Sequence, residues 1–379
     1  MKQRITTVFA GGLFALALFG VAAAGPLEDG GAAYQRGDYS RAVGLWRPLA
    51  DKGEAKAQFN LGLMYYKGRG LPQDYAQAAF WYRKAADQGD PLAQHNLGLM
   101  YRKGQGLPQD FKQAVAWYRK AADQGDAMAQ ASLGAMYDMG QGVPQDYAQA
   151  VEWYRRAAEQ GDAQAEAFVG ASYRDGQGVP QDYKQAAVWF RKAADQGYAP
   201  AQNEIGLMYR EGRGLPQDYA QAVAWYRRAA DQGDAYGQAS LGLLYFYGLG
   251  VSQDYAQAIE WYRKAADQGD AHAQTNIGAM YEMGRGVPKD DLQAAAWYGK
   301  AAEQGNSTAQ FDLGAIYYRG QGLPQHLIHA YMWLSLAASD ASDAAVQDNA
   351  TKLREYVAAE MTPSQIAEAQ RMAREWVPK

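Results

Sequence analysis

The sequence predicts an all-α protein, a solenoid of 36-residue helix-turn-helix repeats closed by capping helices. Three observations carry that reading. The triplet Asp/Glu-Gln-Gly returns without gaps at Gly89, Gly125, Gly161, Gly197, Gly233, Gly269 and Gly305, with Gly53 ending a looser version. Apolar and small residues inside each repeat are spaced by three and four, the spacing of a helix face rather than of a strand. A glycine pair, such as Gly104 and Gly106, interrupts each repeat at its middle. A fixed period in this range marks stacked units. Such units vary freely only where stacking does not dictate the residue, so specific activity is sought where the copies differ.

Residues 1–24 stand apart. Lys2 and Arg4 precede an uncharged, mostly apolar run over residues 8–24 that ends in Ala22, Ala23 and Ala24. This is the pattern of a secretory signal peptide cleaved after Ala24. The run is shorter than the roughly 20 residues of a membrane span and contains Gly11, Gly12 and Gly20. Residues 25–53 follow as an opening hairpin that keeps Gly37, Asp38, Tyr39, Ala42 and Leu45 of the repeat with a shorter turn. The repeat array is expected over residues 54–340.

Within one repeat the first helix is expected from about Asp90 to Arg102, with Ala93, Leu97, Gly98, Met100 and Tyr101 on its packed side. Gly104, Gly106 and Pro108 end it, because glycine accepts positive φ and proline disfavours helix in the residue before it. The second helix opens at Asp110 with Gln113 three residues on, an acid-capped relative of the capping box. Arg119 and Lys120 then complement its carbonyl end, and Gly125 stops it. Gly62, Gly98, Gly134, Gly170, Gly206, Gly242, Gly278 and Gly314 sit inside helices at a cost of about 1 kcal/mol each against alanine. That cost is recovered where a neighbouring helix uses the missing side chain. Two aromatic ladders, Tyr65, Tyr101, Tyr137 and onward, and Trp81, Trp117, Trp153 and onward, are expected to pack between helices facing these glycines. Beyond the array, residues 341–379 read as capping helices, the last introduced by Thr362, Pro363 and Gln365.

The pattern Ala-x-Ala-Gln-x-x-Leu-Gly-x-Met-Tyr, then Gly-x-Gly-x-Pro-x-Asp, then Ala-x-x-Trp-Tyr-x-Lys/Arg-Ala-Ala-x-Gln-Gly, as it runs through residues 127–161, resembles the Sel1-like repeat family. The resemblance covers roughly residues 30–340. It implies a right-handed α/α superhelix of the tetratricopeptide-like kind, used mainly as a scaffold for protein partners. The resemblance also implies an alternative, an enzyme acting on cell-wall or lactam substrates, but the secreted relatives with penicillin-binding or lactam-hydrolysing activity are cysteine-rich, whereas this chain has no cysteine. A scaffold in polysaccharide export or cell-envelope assembly is a further reading, differing only in the partner.

Composition narrows the function. The absence of cysteine removes thiol nucleophiles, thiolate metal sites and disulfides. The formal charge of -4 includes Lys2 and Arg4 and no acid before Gly25, which leaves -6 after cleavage, a poor match for nucleic acid. No His-Glu-x-x-His, Gly-x-Ser-x-Gly, Ser-x-x-Lys or phosphate-loop motif is found. His326 and His329 have ligand-like spacing but no third ligand, while His95 and His272 read as surface or groove residues. No catalytic residue, metal or cofactor is expected.

The copies differ most at the positions equivalent to Lys56, Asn60, Leu63 and Lys67, which share one face of the first helix. The resemblance implies that these helices line the concave surface. The candidate partner-binding residues are therefore Met128, Met139, Phe168, Glu204, Glu211, Tyr236, Leu243, Phe246, Tyr247, His272 and Met283, with Tyr236, Phe246 and Tyr247 making the sixth copy the most aromatic. The reading is a periplasmic or secreted monomer, without stable membrane insertion after cleavage, that binds a protein or peptide and catalyses nothing.

Overall fold

A computed structural model describes residues 25–340 and 343–378, and the expected signal peptide lies outside the described residues. The chain forms two compact units, one ending at Gln196 and the other starting at Gly197. The first contains α1 (Pro26–Gln35), α2 (Tyr39–Asp51), α3 (Ala55–Lys67), α4 (Tyr75–Asp87), α5 (Pro91–Lys103), α6 (Phe111–Asp123), α7 (Ala127–Met139), α8 (Tyr147–Glu159), α9 (Ala163–Asp175) and α10 (Tyr183–Asp195). The second contains α11 (Ala199–Glu211), α12 (Tyr219–Asp231), α13 (Ala235–Tyr247), α14 (Tyr255–Ala266), α15 (Ala271–Met283), α16 (Asp291–Glu303), α17 (Ser307–Arg319), α18 (Leu327–Ser339), α19 (Ala344–Ala359) and α20 (Pro363–Glu375). No strand occurs among the described residues, and in each unit consecutive helices pack pairwise as an α/α solenoid.

The boundaries follow from capping chemistry. The Asp90 carboxylate accepts from the Ala93 amide at 2.8 Å to open α5, and Asp110 does the same for Gln113 at 3.0 Å to open α6. Between them Gly104 takes the left-handed conformation at φ 66°. Gly106, at φ 69°, serves a different purpose: a Cβ there would lie 2.3 Å from the Tyr75 carbonyl at the start of the previous second helix. The glycine pair thus ends one helix and lets the loop touch the neighbouring repeat. The Asp110 amide donates back to the Tyr101 carbonyl at 3.0 Å, and the Gln109 side chain to the Arg102 carbonyl at 2.8 Å, so the turn is hydrogen-bonded on both sides.

The in-helix glycines mark close crossings, but the ring that fills the notch belongs to neither expected ladder. A Cβ at Gly98 would stand 2.8 Å from the Tyr118 ring, and the same contact recurs between Gly62 and Tyr82, Gly134 and Tyr154, and Gly170 and Phe190. In the second unit it pairs Gly206 with Tyr226, Gly242 with Tyr262 and Gly278 with Tyr298, and Gly314 with the smaller Leu334. Each of these rings directly follows the tryptophan, and Tyr82, Tyr118, Tyr226, Tyr262, Tyr298 and Phe190 are among the largest fully buried side chains. The tryptophans pack one position earlier, most of them also buried, with a basic residue over the ring, as Lys120 lies 3.9 Å from the Trp117 centroid.

Successive repeats are tied by buried glutamines. Gln94 donates to the Ala86 carbonyl of the preceding second helix at 3.1 Å and accepts from Gln124 at 2.8 Å, and Gln58, Gln130, Gln238 and Gln274 repeat both contacts. Glu166 occupies this position in α9. It is 5 % exposed and accepts from Gln196 at 2.7 Å, but an ionised carboxylate has no proton for the Ala158 carbonyl that a glutamine would reach. Burial raises its pKa, against the opposing effect of the Gln196 bond.

Two outcomes are expected. Gly170→Leu should lower thermal stability by about 1–3 kcal/mol through overpacking against Phe190, and an unchanged unfolding curve would refute the close crossing. Glu166→Gln should raise stability at neutral pH by about 1 kcal/mol in denaturant titrations, the worth of one restored hydrogen bond. That gain should shrink in acid, where Glu166 regains a proton and can donate, so a gain independent of pH would contradict the assignment.

Candidate functional site: the variable face of the first helices

The copy-variable positions divide into an exposed edge and a packed centre. At the edge, Met139 is 41 % exposed, Tyr236 47 %, Tyr247 59 % and Met283 47 %. At the centre, Ser132, Ala135 and Ser240 are buried, so the face is less free of packing than its variability suggests. Met128, Phe168, Glu204 and Leu243 are half-buried, whereas Glu211 and His272 are exposed.

Individual residues follow from their neighbours. Phe246, expected as an anchor, is buried at 9 % and packs edge-on against Tyr255 at 5.2 Å with the Arg285 guanidinium 5.4 Å from its centroid. It belongs to the core and supports Tyr247, whose ring meets it edge-on at 5.0 Å. Leu243 joins the same cluster. Phe168 stacks on Tyr154 at 4.7 Å, so most of its ring is committed to packing. Tyr236 leans on Tyr226 at 6.3 Å while keeping its outer face in water. Glu211 pairs with Arg210 at 3.1 Å and Arg213 at 3.3 Å. His272 Nδ1 lies 3.5 Å from the Asn306 amide. Met139 lines a shallow cavity of about 550 Å³ with Arg102, Lys103 and Phe111.

His95, expected at a surface or groove, is instead buried, with Nε2 3.3 Å from Ser132 Oγ and its ring over Tyr118. Burial, aided by Arg102, lowers its pKa to about 4 and keeps it neutral. His326 caps α18, its Nδ1 accepting from the His329 amide at 3.3 Å, a structural use of the replaced aspartate. No group of three His, Cys, Asp or Glu that could hold a metal ion occurs among the described residues.

The tyrosine ladder has a role that the sequence did not disclose. Arg47 donates to the Tyr65 hydroxyl at 2.8 Å, Arg155 to Tyr173 at 3.0 Å and Arg263 to Tyr281 at 3.0 Å, and Arg83 with Tyr101, Arg119 with Tyr137 and Arg227 with Tyr245 repeat the contact. These arginines, which look like plain surface bases in sequence, join α2, α4, α6, α8, α12 and α14 each to the first helix that follows.

A second unforeseen cluster lies at the same face in the second unit. The Tyr298 hydroxyl donates to Glu282 at 2.9 Å, and Arg319 approaches Glu282 at 3.7 Å. Asp312 is pushed from the ordinary carboxylate range up to about 7, first by burial and then by the Glu282 charge, with Arg319 opposing.

Pairs of similar helices, with sequence variation concentrated on one face of the first helix, define a tandem α/α repeat protein. The Sel1 repeat matches eight consecutive segments, residues 55–90, 91–126, 127–162, 163–198, 199–234, 235–270, 271–306 and 307–342. The chain belongs to the Sel1 repeat family, whose solenoid fold is typical of protein-interaction scaffolds. It is similar to a Sel1 repeat protein from Oxalobacter formigenes, at 33% identity and TM-score 0.62, over 91% of this chain and 98% of that one. It is also similar to c5321 of uropathogenic Escherichia coli, described as a protective antigen displaying an SLR fold, at 34% identity and TM-score 0.51 over 93% and 91% of the two chains. No curated protein matches. No helix among the described residues is long and apolar enough to cross a membrane.

The Asp312 cluster sets a pH dependence. A carboxyl whose folded pKa is raised contributes stability that is full below its unfolded pKa near 4 and is lost as pH rises through its folded value near 7. Wild type should therefore lose more of its unfolding midpoint than Asp312→Asn between about pH 5 and about pH 8, because the amide carries no titrating charge. Parallel midpoints for the two proteins would show that Asp312 ionises normally.

Proposed function

We propose that this protein is an exported, non-catalytic scaffold that holds a protein or peptide partner on the variable face of its first helices. The observation that carries the reading is the exposure of Tyr236 and Tyr247, both large and copy-specific, on α13. An aromatic required for stacking would recur in every repeat and be buried, as Tyr118 and Tyr226 are. One that is unique and open to water has the character of an anchor awaiting a partner. Met283 adds an adaptable apolar contact on α15, and Phe246 beneath Tyr247 holds that ring at the surface. Glu204 and Glu211 bring acidic groups to the same face of α11. Export is supported by the charged, apolar and small-residue sequence of residues 1–24, and by the description of the Escherichia coli relative as a protective antigen.

The partner should be captured from the exported fraction with the mature chain and then titrated against variants. Changing Tyr236 and Tyr247 together to serine should weaken binding by about 2 kcal/mol or more while the helical circular dichroism stays the same. The matching control removes Phe80 and Val188, which are 48 % and 50 % exposed on the second helices α4 and α10. Equal losses, or a larger loss from the control, would move recognition to the second-helix side.

A further inference from the structure

The arginine of the arginine-tyrosine ladder is lost at Gly299, and a cavity opens beside it. The position held by Arg263 in α14 is Gly299 in α16, one period later. A Cβ built at Gly299 would meet nothing within 4 Å, so this glycine is not a close crossing. The cavity beside it measures about 350 Å³ and is floored by Ala295, Leu313, Leu323 and Trp333, with Tyr317 on its wall. Trp376 of the C-terminal segment supports the floor, its ring 6.1 Å edge-on from Trp333. Tyr317 is the ladder tyrosine of this repeat. Its ring stacks on His329 at 5.2 Å, and its hydroxyl makes no hydrogen bond among the described residues.

We propose that this cavity is a binding site for an arginine side chain presented by another protein or peptide. The template is internal. In the second unit the Arg227 and Arg263 guanidinium groups each bond the hydroxyl of the next ladder tyrosine, and at Gly299 the same tyrosine is kept while the arginine is missing. A guanidinium entering from outside would meet the Tyr317 hydroxyl as acceptor, with its methylene stem against Ala295, Leu313 and Trp333. Two further charges are compatible with it. Glu303 stands at the rim, the counterpart of Asp267 beside Arg263. Lys300 also lines the cavity, but its ammonium sits 3.9 Å from the Trp297 centroid, as Lys264 sits 3.7 Å from Trp261 with Arg263 in place. A cation in this slot is therefore already tolerated beside the neighbouring lysine. The planar donor fork selects arginine over lysine, whose ammonium is a compact and strongly hydrated point charge.

This inference goes beyond the first-helix reading and does not depend on it, because the probe is a small molecule rather than the captured partner. The mature ¹⁵N-labelled chain is titrated with N-acetyl-arginine methylamide, following the Trp333 indole resonance assigned through Trp333→Phe. A saturable shift is expected. The isosteric but uncharged citrulline derivative, and the lysine derivative, should bind about tenfold more weakly, the scale of one hydrogen bond involving a charged group. Gly299→Arg should abolish the response and raise the unfolding midpoint, because the slot is then filled in cis. Tyr317→Phe should weaken the response by a similar factor at unchanged helicity, which keeps the test sound if Gly299→Arg folds poorly. No shift at Trp333, equal shifts with citrulline or lysine, or an undiminished response in a folded Gly299→Arg or Tyr317→Phe chain would each overturn the assignment.

Discussion

The contact on which every repeat but the last depends is the seating of an aromatic ring against helix backbone at a glycine. With a Cβ at Gly98 only 2.8 Å from the Tyr118 ring, no other residue could keep α5 and α6 at their present distance. The ring buries a large apolar area there, which outweighs the roughly 1 kcal/mol that glycine costs inside a helix. It also fixes the rotation of both helices. Once Tyr118 is inside, Trp117 must point to the flank and Arg119 toward the next repeat, since neighbouring helical positions are separated by about 100°. The tryptophan-cation contacts and the arginine-tyrosine ladder are consequences of that one placement.

Stacking between repeats is set by hydrogen bonds rather than by shape alone. A buried glutamine with its donor on one backbone carbonyl and its acceptor on a second glutamine is satisfied at one register only. Apolar surfaces such as those of the alanine-rich second helices would tolerate sliding by a turn. The glutamines do not, because a slipped register would leave amides unpaired in a dry interface. Glu166 weakens this lock in α9 by replacing a donor with a carboxylate. Where the arginine-tyrosine bond is present it adds a second tie, as Arg47 to Tyr65 does beside Gln58, so rotation of one repeat on the next is opposed at two points.

Much of this fold was legible because its rules are local. Capping aspartates, left-handed glycines and the 36-residue period each constrain a few adjacent residues, and their positions in the structure agree with the sequence to within a residue or two. What escaped was whatever depended on helix rotation. Trp117 and Tyr118 both recur in nearly every copy, and nothing in the sequence says which of the two enters the glycine notch. Phe246 and Tyr247 raise the same ambiguity at the candidate site, where one ring joins the core and its neighbour reaches water. His95 looked like a variable surface residue because it varies, yet Ser132 of the next repeat supplies a buried partner for it. Variation between copies therefore reports freedom from the common stacking pattern, which is not the same as exposure.

That distinction changes how departures from the repeat should be read. A position that differs because a compensating neighbour also differs, as with His95 and Ser132, is repacking and carries no message for a partner. Leu334 opposite Gly314 carries none either, since the smaller side chain still fills the notch, with a Cβ at Gly314 standing 2.8 Å from Leu334 Cγ. Gly299 is different, because its counterpart Tyr317 is retained and no arginine among the described residues lines the cavity between them. Tyr247 is different in the opposite sense, a large side chain added where no neighbour grows to cover it. In a chain whose other copies state what each position needs, an uncompensated loss and an uncompensated gain are the two departures on which the proposed partner sites rest.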